Sequence, residues 1–256
     1  MVYGGGGPFG IAYGAGVAKG LEAAGVPVGE APALGTSAGS WVASLMALGL
    51  GYDDFIDVQS PAVPTRQRGV LVDIAREVFG DAYHPLVRAS AFRVTAPYRG
   101  PKVLRGEHHR LADICAASSA APGLLPPHRI EGHTYVDGGV RSVTSIGRAD
   151  DAAHVIVVAP IARGVMGPGG AAVQFQLDAE RRRWKRQHPG RRMTVITPNA
   201  EIARLSGRSA KDLFRDDIAR AVYPLALAQG ERWGARVLAA QAAAAAEAAV
   251  EPARAS

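Results

Sequence analysis

Sulfur chemistry is nearly absent from this chain. Its 256 residues include one cysteine, Cys115, so no intramolecular disulfide can form and a reducing, cytoplasmic setting is expected. The opening MVYGGGGPFG lacks a basic n-region and an apolar h-region, which argues against a secretory signal. Long apolar runs are missing as well. The longest candidate, around Trp41 to Leu50, is about half of the roughly 20 residues that a membrane span needs. We find no internal repeat of the roughly 20 to 50 residues that marks solenoids, and we expect neither a metal nor a cofactor.

What is present suits a folded domain. Hydrophobic residues make up 48% and charged residues 20% of the chain, enough for a full core and too apolar for wholesale disorder. The expected division is a main domain over 1–235 and an alanine-rich helix and tail over 236–256. The net charge of +6 can draw in anionic lipid, nucleic acid or acidic substrate, and says little about fold.

The apolar pattern gives the order of elements. A short strand at Met1–Tyr3 leads through glycines into a helix over Gly10–Ala24, with apolar positions Ile11, Ala15, Ala18 and Leu21 at helical spacing and Gly25 as its stop. A strand at Ala31–Leu34, a glycine turn and a helix at Trp41–Leu48 follow. This βαβα order implies a parallel sheet covered by helices. Further on we expect helices at Asp53–Val58, Arg66–Phe79, Leu111–Ser119 and Ala172–Gln187. Two more, Lys211–Leu225 and Gln229 to about Val250, close the chain. Strands are expected at Leu86–Thr95, Lys102–Leu104, Thr134–Val136, His154–Ala159 and Met193–Thr197.

The first glycine loop, Gly5-Gly6-Gly7-Pro8-Phe9-Gly10, satisfies G-x-G-x-x-G between a strand and a helix. It has two readings, a dinucleotide cradle or an oxyanion hole formed by the N–H groups of Gly6 and Gly7. Both use donors gathered at a helix N-terminus. A dinucleotide fold should end its next strand in an acidic residue. Here Glu30 precedes that strand, and the strand runs into Gly35-Thr36-Ser37-Ala38-Gly39, which favours the oxyanion reading.

That second segment matches a nucleophile elbow. The chain reverses so tightly that bulky residues two positions from the serine would clash, and Ser37 stands at a helix start whose dipole favours an anion. A glycine-flanked serine is also an ordinary helix cap. The third segment, Asp137-Gly138-Gly139, could be a simple turn or could supply the base. Seven histidines are present, and His154 or His188 could complete a Ser-Asp-His order, but none has a distinctive context. The simpler scheme is a dyad in which Asp137 takes the Ser37 proton directly.

The ordered set resembles the patatin-like phospholipase family, as does Ala117-Ser118-Ser119-Ala120-Ala121-Pro122-Gly123-Leu124-Leu125-Pro126-Pro127. The resemblance covers residues 1 to about 145. It implies a three-layer α/β/α sandwich with a mostly parallel central sheet and a Ser–Asp dyad acting on acyl esters of lipids. By position, Ser37 is the nucleophile, Asp137 the base, and Gly6 and Gly7, with Gly5 beside them, the oxyanion donors. Gly35 and Gly39 form the elbow, and Gly138 and Gly139 complete the DGG motif. Two departures stand out. Many relatives carry a basic residue, which favours a phosphate head group, where this chain has Phe9. After the DGG, Arg141-Ser142-Val143-Thr144 replaces an Asn-Pro-type stretch.

The expected function is therefore serine acyl-ester hydrolysis through an acyl-enzyme. An acyltransferase would share the first half-reaction, and a binding module would keep the scaffold without the chemistry. The expected partner is a lipid or other acyl ester, with no nucleic acid. The basic cluster Arg181, Arg182, Arg183, Lys185, Arg186, Arg191 and Arg192 is either a solvated helix face or an attraction to anionic membrane surface. Cys115, among alanines, reads as a core residue.

Overall fold

The computed structural model describes residues 1–58, 61–149 and 152–254, with side chains through 244. The described residues form a mixed sheet of eight strands, most of them parallel, with helices on both faces. This is the expected three-layer α/β/α arrangement. The strands are β1 (Val2–Tyr3), β2 (Ala33–Thr36), β3 (Val87–Arg93), β4 (Gly100–Arg105), β5 (His128–Ile130), β6 (His133–Asp137), β7 (His154–Val158) and β8 (Arg192–Ile196). Their order is β5-β6-β3-β2-β1-β7-β8, with β4 also paired to β3.

Alternation along the strands separates the two cores. From β1 and β7, Tyr3, Ile156 and Val158 join the larger cluster with the helices α1 (Gly7–Ala23) and α2 (Ala38–Ala47). Val2, Val155 and Val157 face the other way and meet Leu177 and Trp184 of α5 (Pro168–Gln187). Each such side chain, fully buried, stabilises the fold by about 1.5–3 kcal/mol. The larger side also takes α3 (Val70–Phe79) and α4 (Leu111–Ser119). A short α6 (Ala200–Leu205) and a long α7 (Asp216–Arg254) complete the chain.

Several expectations need correction. Residues 53–58 form turns rather than a helix, since Phe55 and Val58 bond three residues back and the Asp54 carboxylate takes the Gly51 N–H at 2.7 Å. The helix expected from Arg66 begins at Val70, because Gly69 sits at φ +85°, outside helical geometry. The two closing helices are one, α7, despite Pro224. Its packing against α1 overrides local propensity: a Cβ on Gly20 would stand 2.2 Å from the Leu227 carbonyl oxygen, so the two backbones nearly touch. Strand β5 and helix α6 are too short for a periodicity signal. The boundary expected at 235/236 falls inside α7, and residues 255–256 of the expected tail lie outside the described residues. No helix among the described residues is long and apolar enough to cross a membrane.

Candidate active site

Parallel pairing brings two loops to one end of the sheet. Tyr3 of β1 lies beside Gly35 of β2, so the glycine loop and the serine turn leave the sheet side by side. Such carboxyl ends of parallel strands are where α/β sheets hold ligands. A Cβ on Gly5 would stand 3.3 Å from the Ser37 Cβ.

Strand β3 then supplies the aspartate. Along one edge it pairs with β4 from Arg88 to Arg93. Its other edge is shared: β2 occupies it as far as the Ser90–Thr36 pair, and β6, running the opposite way, takes over at the Ala91–Asp137 pair. Strands β2 and β6 therefore meet head to head. Thr36 and Asp137 end them at consecutive positions of β3, and Ser37 is the next residue after Thr36.

Steric fit shapes the serine turn. Ser37 adopts φ +53°, a conformation rarely seen outside glycine and a common mark of functional strain. A Cβ on Gly35 would lie 2.2 Å from the Gly39 carbonyl, and one on Gly39 would lie 2.0 Å from the Tyr3 carbonyl oxygen. Neither position admits a side chain. The Ser37 N–H donates to Ser118 Oγ at 2.9 Å, and Ser118 Oγ in turn donates to the Ser90 carbonyl at 2.7 Å. Ser119 Oγ accepts from Trp41 Nε1 at 3.0 Å. The small-residue segment around Ser118 thus ties α4 to the turn and to β3.

Burial shapes the aspartate. Asp137 is 7% exposed, and desolvation pushes its carboxyl up to about 6, with the Ser37 side chain and the Gly139 N–H pulling partly against that rise. The Gly139 N–H donates to Asp137 Oδ1 at 2.6 Å. Gly138 packs where a Cβ would meet the Ser90 carbonyl oxygen at 2.3 Å.

Ser37 and Asp137 both line a cavity of about 290 Å³. Gly5, Gly6 and Gly7 border it on one side, and Ile11, Trp41, Leu71, Ile74, Leu125 and Phe214 make much of its apolar wall. Gly5 donates its N–H to the Val143 carbonyl at 2.9 Å and so anchors the loop. The Gly6 and Gly7 N–H groups have no backbone acceptor among the described residues, as expected at a helix N-terminus. Pro8 costs nothing there, in the first turn of α1. Phe9 is fully buried and stacked on Tyr13, away from the cavity.

None of the seven histidines lines this cavity. His128 pairs with Asp113, and His154 bonds Thr194. Cys115 is buried beside Ser44, with its thiol pushed up to about 12 by burial, as a core residue should be. No group of metal ligands occurs among the described residues. Sequence reading missed two contributions. Ser118 stood in a quoted segment without a role, and Phe214 comes from a short 3-10 turn (Asp212–Phe214) far along the chain that nothing local marks.

No curated protein matches the chain. A family model, Patatin-like phospholipase, matches residues 64–150. That span takes in β3 to β6 and the DGG motif, while the glycine loop and serine turn precede it. A patatin-like domain suggests lipid acyl hydrolase activity and lipid substrates. The match, with the mostly parallel sheet flanked by helices, supports a likeness to the patatin-like phospholipase family.

Proposed function

We propose that this protein is a serine acyl-ester hydrolase with a Ser37–Asp137 dyad. The observation that carries the reading is the head-to-head meeting of β2 and β6 on one edge of β3, beside an apolar cavity. An acyl chain would lie against Trp41, Leu71 and Ile74. Ser37 Oγ attacks the ester carbonyl while Asp137 accepts its proton. A carboxylate lifted toward 6 is a stronger base than an ordinary one and remains ionised at neutral pH. The negative charge that develops on the carbonyl oxygen is met by the unengaged N–H groups of Gly6 and Gly7. The protonated Asp137 then returns its proton to the leaving alcohol. Water attacks the acyl-enzyme as Asp137 again takes a proton, which it returns to Ser37 Oγ as the acid is released.

Hydrolysis of p-nitrophenyl acyl esters tests the dyad. Ser37→Ala and Asp137→Asn should each lower the rate by about a hundredfold or more with the fold retained. Near-normal rates in either variant would refute the assignment. Labelling of wild type but not Ser37→Ala by a fluorophosphonate separates an enzyme from a silent scaffold. Comparing simple esters with phospholipids across chain lengths reads the substrate class. Because Phe9 is buried, we expect no strong gain from a phosphate head group at that position.

Peripheral contact with anionic lipid belongs to the same proposal. Arg181, Arg182, Lys185 and Arg186 are exposed on α5 and can attract such a surface by up to about 1 kcal/mol per charge. Binding to phosphatidylglycerol vesicles should weaken as salt rises, and absence of binding at low salt would end the idea.

A further inference from the structure

A second and larger cavity, about 700 Å³, shares a wall with the first. The wall is the segment that follows the DGG motif. Gly139, Val140 and Val143 face the apolar cavity, whereas Arg141, Ser142 and Ser145 line the other. This segment is clamped from α5: Gln176 bonds the Val143 N–H and the Arg141 carbonyl, and Glu180 accepts from Thr144 Oγ1 and the Ile146 N–H.

The second cavity is rich in hydrogen-bond donors. Arg141, Arg148 and Arg183 line its rim as exposed side chains, and none has an ion-pair partner among the described residues. Trp184 borders it, is 1% exposed, and has an indole N–H without a partner. Ser142 Oγ accepts from the Ser145 N–H, and Ser90 Oγ accepts from Ser145 Oγ. The Ser142 hydroxyl proton has no acceptor among the described residues. Against these donors stands, among the described residues, one carboxylate, Glu180, whose Oε2 already accepts two bonds from the wall.

The buried Trp184 N–H is costly to leave unmade, and guanidinium groups gathered with no carboxylate partner among the described residues favour an oxyanion. The donors come from the wall and from α5, so they approach from more than one direction. A planar carboxylate offers two oxygens, whereas a phosphate group offers three or four arranged tetrahedrally. We propose that this cavity binds a phosphate group, carried by a small soluble phosphate ester or by a lipid head group. The site is separate from the Ser37 cavity, and its occupation would brace residues 141–148.

The test is calorimetric titration of the full chain with inorganic phosphate and with glycerol phosphate, beside flotation with vesicles of phosphatidic acid in phosphatidylcholine. Saturable binding of a soluble phosphate, weakened about tenfold or more by Arg148→Gln and by Arg183→Gln but not by Arg232→Gln, is the expected result. Vesicle binding that soluble phosphate displaces, with the same variant pattern, also supports the site and assigns the head group as its source. Three results would overturn the proposal: no saturable binding of either form, equal weakening by Arg232→Gln, or vesicle binding that phosphate does not displace. Circular dichroism and melting temperature of each variant separate lost binding from lost folding.

Discussion

The two halves of the candidate dyad are held by different physics. Around Ser37 the determinant is shape. Gly35 and Gly39 leave no room for a Cβ, the serine itself sits at positive φ, and Ser118 fixes its N–H. Around Asp137 the determinant is solvation. The carboxyl is buried with one backbone donor on Oδ1 and is pushed up to about 6. One side of the pair therefore stores backbone strain, and the other stores an unfavourable charge. Both are stability given up for function, and they should respond to mutation in opposite ways.

The largest effect is expected on the shape side. In Gly39→Ala the new Cβ would sit 2.0 Å from the Tyr3 carbonyl oxygen, a backbone atom of a central strand that cannot swing aside. We expect a loss of about 3 kcal/mol or more, or no soluble protein, read by urea denaturation. A variant of wild-type stability would mean that the turn is not held by contact at all.

Next comes the solvation side, where the sign reverses. The folded Asp137 binds its proton more tightly than an unfolded aspartate at 3.8, since its own value is about 6. Stability from this group is fully present below about pH 4 and is lost as pH rises through about 6. The loss approaches about 3 kcal/mol at pH 8, as an upper figure. Asp137→Asn removes the charge and keeps an acceptor for the Gly139 N–H. It should be inactive yet more stable than wild type at pH 8, with the advantage gone at pH 4. Denaturation midpoints at the two pH values measure it. Equal or lower stability at pH 8 would show that the carboxylate is better solvated than its burial implies.

This contrast also explains what the sequence could reveal. Shape leaves a local trace, because a forbidden Cβ must be a glycine, so Gly35, Gly39 and Gly138 stand out by spacing. The alternation of apolar strands and helices likewise gave the layers and most strand positions. Solvation and long-range packing leave no such trace. Nothing near Asp137 announces that β6 runs against β3 and stops beside Thr36. Nothing in the alternating residues of 139–145 announces two cavities. The continuity of α7 through Pro224 depends on α1, roughly two hundred residues earlier in the chain. The run of Ser118 and Ser119 lies between these cases: its composition drew notice, but its role needed the fold.

A smaller effect tests the brace between the two sides. Ser118→Ala leaves the Ser37 N–H and the Ser90 carbonyl without the hydroxyl that joins them. Unsatisfied buried groups of this kind cost about 1–3 kcal/mol, and a slight shift of Ser37 should lower ester hydrolysis by about tenfold. Paired with Gly39→Ala, it asks whether the turn is held chiefly by contact or by hydrogen bonds. A fall in stability with an unchanged rate would show that Ser118 supports α4 rather than the nucleophile.

The gentlest way to break the comparison is titration. If Asp137 is the base, its protonated form cannot accept the Ser37 proton, so kcat/KM should be halved near pH 6 and fall about tenfold for each pH unit below that. An ordinary, solvated aspartate would place the limb near 4 instead. A histidine base would place it close to the expected value, so the midpoint alone does not identify the group. Temperature separates them. Carboxyl ionisation has almost no enthalpy, whereas imidazole loses its proton more readily on warming. A limb that stays near 6 between 10 and 40 °C, measured in a range where the fold is intact, assigns the titration to Asp137. A limb that drifts downward on warming would return the base to a histidine, and the solvation half of the contrast would fall with it.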